Sequence, residues 1–517
     1  MSPATFYLPV PNSKEALKRI PNQHAAWLLA NLRFYNGDHW QEGTGWTGPT
    51  VPETHTQYGH TMQLLEKIFV SRNSIAQAVN QHVAGVMGNP PRWTITGGDD
   101  ALMQEAEMLL TTWLANQQGY AARTLSKETK LCSPLEVVNL ATKHALLTTR
   151  GGLRFFVANP DSAEAAQNEP ASADTNQYNL PILPAEEAIN QIFIHNPDPR
   201  QAAVFVDENT MTTVGLYTYQ EDKVQKAELS YIGRDGNTIL LILDETGIES
   251  GAKLPLGRRL MHYEIERPLF ITEQIRAAQK ALNKAETMTS KNLDVGGFLE
   301  RVFLNAQPPG TWEKNSQTGI EEFKPLPLEI GPGLTTFISG MEEARPDGSR
   351  TYATPSALFR EPTNPEAFTD TSDHYHASIL EQCGQLHTLL ANEGNISGES
   401  RSQARDAYKK SLLETKPEAD KALVWLLETV LALTAVLSGQ PGRYEALAVS
   451  VDCQLDLGII TSDEVTQTVQ AHGAGLLSRE TAMSKIGVTD PTAEKQRIQD
   501  EQVELNNMAS NDNDTEM

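Results

Sequence analysis

Two sets of charged residues in this 517-residue chain are spaced to share one face of a helix. The first set lies on a predicted helix that begins near Asn364 and comprises Glu366, Asp370, Asp373 and Glu381. The second set lies on a predicted helix over 272–294 and comprises Arg276, Lys280, Lys284 and Lys291. We call these sets the acidic column and the basic column. A wall of carboxylates suits a pore in which an anion slides without sticking, and the alternative is a pair of ordinary solvated faces.

Motifs for catalysis or metal binding are absent from the sequence. It contains no GxxxxGK[ST], HExxH or GxSxG. One Ser-x-x-Lys, Ser250 to Lys253, lies in a predicted glycine-rich turn without companion motifs. His374 and His376 are two residues apart on a predicted helix, so they point to different faces and make a poor metal pair. The cysteines are odd in number and far apart: Cys132, Cys383 and Cys453. We therefore predict no catalytic residue, no metal and no cofactor.

The composition favours a soluble chain that does not hold nucleic acid by neutralising phosphates. Its 66 acidic and 42 basic residues give a net charge of -24. The longest apolar run, 422–437, carries Glu428 and is shorter than the ~20 residues of a membrane span. The first residues lack the basic region and apolar core of a signal peptide. We expect no association with a membrane.

The N-terminal half is predicted to change from helices to strands. Helices are predicted over 13–34, 62–87, 101–117 and 135–148. Residues 159–187 have little to bury and predict a long surface loop. Alternating runs from Gln191 to Tyr263 predict an antiparallel sheet, with a hairpin turn at 233–237.

The C-terminal half places the two charged helices on either side of a Pro/Gly-rich insert, 298–362, with short strands. The helix of the acidic column has an apolar stripe opposite its carboxylates, formed by Phe368, Tyr375, Ile379 and Leu386. A polar break at 392–398 precedes a helical pattern over 399–437. Pro417 predicts a kink in this helix or the first turn of a new one. A strand over 445–452, helices over 462–471, 478–485 and 491–506, and a disordered tail are predicted to follow.

This order of elements resembles that of the portal proteins of tailed double-stranded DNA phages. Four segments carry the resemblance, in the order of the family: Tyr35 to Trp40, Asn73 to Pro91, Asn395 to Ala404, and Gly475 to Gly487. The insert matches by position and composition, and the loop over 159–187 has no counterpart in the family pattern.

The resemblance implies a mainly α portal subunit with an antiparallel β-sheet wing, an α+β fold. The implied regions are a wing (1–264), a first stem helix (265–297), a clip (298–362), a second stem helix (363–384), a tunnel loop (385–398), a long wing helix and strand (399–457), a crown (458–506) and an acidic tail (507–517).

The resemblance also implies a function. Copies of the chain, usually twelve, would form a ring at one capsid vertex, through which DNA is packaged, retained and ejected and to which the tail attaches. The implied partners are further copies of the chain, double-stranded DNA, the terminase large subunit, a head–tail adaptor and the major capsid protein. The implied location is the virion, after assembly in the host cytoplasm. A different phage structural or adaptor protein that assembles through the same helices is the alternative, and an unrecognised hydrolase is a third.

Each set of site residues has an expected role. The acidic column is expected to face the channel or the groove between subunits. The basic column is expected to pair with carboxylates of a neighbouring helix, and the alternative is that it forms sparse basic rings. The residues expected in the tunnel loop are Asn392, Glu393, Gly394, Asn395, Ser397 and Gly398.

Overall fold

The chain folds as two compact units in a computed structural model. The larger unit comprises Met1–His39, Asn73–Gln279 and Ala377–Met517, and the smaller unit comprises Trp40–Arg72 and Lys280–His376. The described residues are 7–40, 63, 65–122, 129–157, 182–297, 300–307, 310–314, 316–317, 319–325, 339–344, 350–360, 364–390, 398–457, 462–485, 488 and 494–499. The fold is a mixture of helices and mainly antiparallel sheets, compatible with the predicted α+β class.

Helices begin where the sequence offers a cap. Asn73, Asp99 and Ser133 each accept a hydrogen bond from a backbone N–H of the first helical turn. The helices are α1 (Ser13–Lys18), α2 (Ala26–Tyr35), α3 (Ser74–Met87), α4 (Asp100–Ala115), α5 (Pro134–Thr148), α6 (Ala185–Ala188), α7 (Glu273–Gly297), α8 (Pro365–Gln382), α9 (His387–Leu390), α10 (Gly398–Leu437), α11 (Ser462–Gly473) and α12 (Arg479–Lys485).

The strands of the larger unit form two five-stranded sheets and one short ladder. Its strands are β1 (Arg92–Thr96), β2 (Gly119–Ala122), β3 (Thr129–Cys132), β4 (Arg150–Val157), β5 (Ile192–Asn196), β6 (Ala202–Asp207), β7 (Thr212–Glu221), β8 (Val224–Ile232), β9 (Thr238–Leu243), β10 (Ile248–Leu254), β11 (His262–Glu266) and, near the C-terminus, β20 (Ala448–Asp452). The first sheet has the order β11-β4-β5-β2-β3, in which β2 and β5 are parallel. The second sheet is the antiparallel series β10-β9-β8-β7-β6, and β1 pairs with β20.

Helix α10 is the centre of the main core of the larger unit. Leu426, Val430 and Leu433 are fully buried in one cluster with Trp113 and Phe155. The Glu428 carboxylate interrupts this apolar helix and accepts hydrogen bonds from the Arg259 guanidinium and the Val449 amide. A charge in the apolar run is therefore paired rather than left alone. A second core lies between α1 and the second sheet.

Helix α3 packs closely against α10 at Gly85. A Cβ on Gly85 would lie 2.2 Å from the Tyr408 hydroxyl oxygen and 2.8 Å from a Leu412 methyl carbon. Tyr408 is buried and donates a hydrogen bond to the Gln81 carbonyl, so it has little freedom to move. We expect Gly85→Ala to lower the free energy of unfolding by about 1–3 kcal/mol through overpacking.

Urea denaturation of Gly85→Ala and of a matched control, Gly473→Ala, tests this expectation. Gly473 ends α11, and a Cβ on this residue would meet no described atom within 4 Å. Alanine there should leave stability unchanged or slightly raised. Equal effects of the two substitutions would contradict the close approach of α3 and α10.

Several predicted helices are confirmed with small shifts of their ends. Helices 101–117, 135–148, 399–437, 462–471 and 478–485 correspond to α4, α5, α10, α11 and α12. Pro417 lies inside the continuous α10, so the alternative of a new helix at that residue is wrong. Of the predicted helix over 491–506, only 494–499 lie within the described residues, and they are helical.

Other helix predictions are wrong, because tertiary contacts override the helical preference of the local sequence. The predicted helix 13–34 is two helices, α1 and α2, separated by turns with Asn22 at a positive φ of 56°. The predicted helix 62–87 is interrupted at 69–73, where both backbone groups of Val70 lie within hydrogen-bonding distance of the Thr287 hydroxyl. A region predicted to be helical up to about residue 150 also contains β1, β2 and β3.

The predicted single antiparallel sheet over 191–263 is also corrected. Strands β5 and β11 join β2, β3 and β4 in the mixed first sheet, and the other strands form the second. The hairpin turn at 233–237 is confirmed, with the Gly233 amide bonded to the Asn237 carbonyl. The predicted strand 445–452 begins later, at Ala448, and the predicted loop 159–187 ends in α6. Residues 158–181 of that loop lie outside the described residues.

The smaller unit contains short two-stranded ladders between α7 and α8. Its strands are β12 (Glu300–Leu304), β13 (Ala306–Gln307), β14 (Gly310–Lys314), β15 (Glu321–Pro325), β16 (Ser339–Gly340), β17 (Glu342–Ala344), β18 (Arg350–Tyr352) and β19 (Ser356–Arg360). Strand β12 pairs with β19, β13 with β16, β14 with β15, and β17 with β18. The predicted strand-containing insert is therefore confirmed, and the predicted helix over 272–294 corresponds to α7.

Candidate functional site

The acidic column lies on the exposed face of α8. Asn364 precedes the helix and accepts a hydrogen bond from the Glu366 amide, which satisfies one free donor of the first turn. The side chains of all four members are exposed: Glu366, Asp370, Asp373 and Glu381. The predicted spacing therefore does place four carboxylates on one exposed helix face, and their role in a channel stays a prediction.

The buried face of α8 is more polar than the sequence pattern indicated. Of the predicted apolar stripe, Ile379 is fully buried, whereas Phe368, Tyr375 and Leu386 are half-buried. The other buried side chains on this face include Ser372 and His376. The sequence prediction used the spacing of apolar residues only. It therefore did not include the buried polar residues, and it placed the centre of the buried face at the wrong position on the helix.

The basic column divides into two parts with different surroundings. Arg276 is half-buried in the larger unit and donates a hydrogen bond to the Asn31 side-chain oxygen at 2.8 Å. Burial lowers the pKa of Arg276, and Glu273 opposes this effect. Lys280 and Lys284 are half-buried and Lys291 is exposed, and none of the three forms an ion pair with a carboxylate of the described residues. The three lysines are thus the members available to an external partner.

A polar cluster joins three segments inside the smaller unit. The Ser372 hydroxyl of α8 donates a hydrogen bond to the Glu286 carboxylate of α7. Arg72 forms an exposed ion pair with Asp373 at 3.5 Å. Burial lowers the pKa of His376, as does Arg72, while Asp373 and Glu286 raise it. Sequence reasoning missed Arg72 and Glu286 because their partners are distant in the chain.

The predicted tunnel loop is only partly described. Gln385 is buried and donates a hydrogen bond to the Ala78 carbonyl at 2.6 Å, and residues His387–Leu390 form α9. The start of the predicted loop 385–398 is therefore anchored in the larger unit. Gly398 is the first residue of α10. The remaining loop candidates lie outside the described residues: Asn392, Glu393, Gly394, Asn395 and Ser397.

The Ser-x-x-Lys sequence lies in strand β10 rather than in a turn. Ser250 is exposed, and Lys253 forms an ion pair with Asp235 at 3.1 Å. Residues three apart in a strand point to opposite faces, so the Lys253 amine is directed away from the Ser250 hydroxyl. This geometry does not support activation of Ser250 as a nucleophile.

A serine, a histidine and a glutamate lie close together in the core of the larger unit. The Ser230 hydroxyl lies 2.7 Å from His262 Nδ1, and His262 Nε2 lies 3.3 Å from the Glu228 carboxylate. All three side chains are buried, and Ser230 is fully enclosed. Burial lowers the pKa of His262 to about 4, although Glu228 opposes the shift. The arrangement has the residue types of a catalytic triad but lacks access for a substrate, so it is a structural network.

Glu228 is held mainly by Arg154. The guanidinium donates two hydrogen bonds to the carboxylate, from Nε at 2.8 Å and from Nη2 at 2.5 Å, and it lies 4.6 Å from the Tyr217 ring centroid. Burial raises the pKa of Glu228, but the charge of Arg154 more than offsets it, and the net shift is downward. This ion pair links β4 of the first sheet to β8 of the second.

Two further properties concern ligands and membranes. His374 is exposed and His376 is buried, so the two histidines do lie on different faces of α8. No group of three or more His, Cys, Asp or Glu side chains in the described ranges is placed to hold a metal ion. Among the helices that the structure describes, none has the length and apolar character needed to cross a bilayer.

Comparison with known proteins adds no family assignment. No protein-family model matches the sequence, and no curated protein is significantly similar to it.

Proposed function

We propose that the chain is the subunit of a portal ring, the DNA channel at one vertex of a tailed-phage capsid. The arrangement of α7, the β insert and α8 corresponds in order to the stem, clip and stem that the resemblance implies. In this proposal the ring contains about twelve copies and binds the terminase large subunit, a head–tail adaptor and the major capsid protein. The channel passes double-stranded DNA, and no catalytic residue is required of the subunit.

The observation that carries the proposal is the small apolar core of the smaller unit. Among its described residues, only Leu282 and Ala285 are buried apolar side chains. Its two-stranded ladders are of a kind that is marginally stable in isolation. A set of large apolar side chains remains exposed instead: Leu293, Leu304, Ile320, Met341, Tyr352 and Leu358. A unit of this kind gains its missing burial by packing against other chains, as neighbouring copies in a ring would provide.

Net charge supports passage of DNA rather than its capture. Twelve copies with a net charge of -24 each carry about 12 × -24 = -288 charges. DNA carries one negative charge per ~1.7 Å of helix axis, so an acidic channel wall offers it no strong binding minimum. Exposed carboxylates of α8 that remain unpaired after assembly would contribute to such a wall.

Negative-stain electron microscopy of the purified protein tests the proposal. We expect closed rings with a central hole wide enough for a DNA duplex. A monodisperse monomer under all conditions of salt and concentration would contradict the proposal, and open or irregular assemblies would favour an adaptor role.

A matched pair of variants links the rings to the smaller unit. Replacing Met341 and Tyr352 with serine should lower the yield of rings, because both apolar side chains are more than half exposed in the single chain. Replacing Met211, which is 78% exposed on the hairpin between β6 and β7, with serine should leave the yield unchanged. Equal yields from both variants would count against assembly through the smaller unit.

A further inference from the structure

Within the smaller unit, α7 and α8 run antiparallel. After α7 the chain enters β12, which forms an antiparallel ladder with β19. In this ladder Glu300 lies opposite Arg360, and Arg360 is five residues before the start of α8. The helices meet a second time where the Ser372 hydroxyl bonds Glu286, well inside both helices. The end of α7 is therefore connected to a strand that pairs with the strand before α8, and the middles of the two helices are in contact, so the helices run in opposite directions. The contact also places Glu286 and Ser372 at the same height.

Two members of each charged column lie on the outer flanks of this helix pair. Residues two apart on a helix are separated by about 200°, so Lys284 points away from the side of α7 on which Glu286 meets α8. By the same geometry Asp370 points away from the side of α8 on which Ser372 meets α7. Lys291 lies seven residues after Lys284, which places it on the same face of α7. Glu366 lies four residues before Asp370, which places it on the same face of α8. One flank of the pair is therefore positive and the other is negative.

The charges on the two flanks match in height. We express height as the position along the helix axes relative to the Glu286–Ser372 contact, with a rise of about 1.5 Å per residue. On this scale Lys291 and Glu366 differ by about 1.5 Å, and Lys284 and Asp370 differ by about 6 Å. A lysine side chain spans the larger of these differences. None of these four side chains forms an ion pair with another described residue, whereas Asp373 is already paired with Arg72.

We propose that the positive flank of α7 in one copy binds the negative flank of α8 in a second copy of this chain. Lys284 pairs with Asp370 and Lys291 with Glu366 of the neighbour. Such a contact joins two different surfaces, which is the head-to-tail type that forms a ring when the rotation between copies closes. The inference rests on the proposed function and deepens it, because it assigns part of the acidic column to the contact between copies and not to the channel wall.

Charge reversal on each flank tests the proposal. One variant carries Lys284→Glu and Lys291→Glu, so that both flanks are negative, and the other carries Glu366→Lys and Asp370→Lys, so that both are positive. We expect each variant alone to need a roughly tenfold higher concentration for half-maximal ring assembly, measured by sedimentation velocity at low salt. The two variants mixed in equal amounts should assemble as the wild type does, because alternating copies again place opposite charges together.

Two controls separate the possible failures. The exposed residues Lys223 and Arg258 lie on the larger unit, and their reversal to Glu changes the net charge by as much as the variant on α7 does and should leave assembly unchanged. Thermal unfolding of the variants should match the wild type, because none of the substituted side chains is fully buried or forms an ion pair with another described residue. Wild-type assembly of both flank variants, or no recovery in the mixture, would overturn the pairing while the ring stands. Absence of rings from the wild-type protein would overturn the proposed function itself.

Discussion

Replacing Glu228 with glutamine should lower the free energy of unfolding by about 3–5 kcal/mol, because it leaves the Arg154 guanidinium buried without its counter-charge. The side chains of Arg154 and Glu228 are 16% and 7% exposed, so water cannot replace the lost partner. Arg154→Met should cost a similar amount. The double variant Arg154→Met with Glu228→Met should cost clearly less than the sum, since no unpaired charge then remains.

Denaturation in urea at pH 7 measures these differences. The control is Glu15→Gln, which breaks an exposed pair with Lys18 on α1 and should cost less than about 1 kcal/mol. A Glu228→Gln effect as small as the control would show that the pair does not hold the two sheets together. The pH dependence gives a second check. The depressed pKa of Glu228 means that its stabilisation is present above the unfolded pKa of about 4.5 and is lost as pH falls through the folded pKa.

Glu264 should make the protein less stable as pH rises from about 4.5 to about 7. Burial raises the pKa of Glu264 to about 7, although Arg150 at 3.3 Å and the Val204 amide oppose the shift. A raised carboxyl pKa stabilises the fold while the group is protonated. This contribution is complete below the unfolded pKa and is lost as pH rises through the folded pKa. The loss amounts to roughly 3 kcal/mol for a shift of this size.

Glu264→Gln should remove this part of the pH dependence, because glutamine does not titrate. The measured quantity is the slope of unfolding free energy against pH between 4.5 and 8. The slope is preferable to the stability at one pH because the substitution also changes the contact with Arg150. Glu107→Gln on the exposed face of α4 should leave the slope as in the wild type. An unchanged slope in Glu264→Gln would mean that Glu264 is ionised throughout this range in the native state.

Most of the longer helices of this protein were predictable from the sequence, whereas the pairing of its strands into sheets was not. Helices α4, α5 and α10 follow from apolar residues that recur every three or four positions over many turns. Strand β1 was missed because its five residues acquire a partner only in β20, several hundred residues later. The parallel pairing of β2 with β5 likewise leaves no local trace in the sequence.

In the candidate site too, features set by neighbouring residues were predictable, and contacts between residues far apart in the sequence were not. The exposed faces of α7 and α8 follow from spacing alone, and the sequence therefore determined which charges could act together. Tertiary structure decided which of them remain free of ion pairs. Asn31 holds Arg276 from 245 positions away, and Arg72 binds Asp373 across 301 positions. Helical periodicity depends on neighbours within a few residues, whereas ion pairing and burial depend on chain segments that meet only after folding. For that reason the sequence predicted the two columns, and only the fold showed that Asp373 forms an ion pair with Arg72 and that Arg276 bonds Asn31.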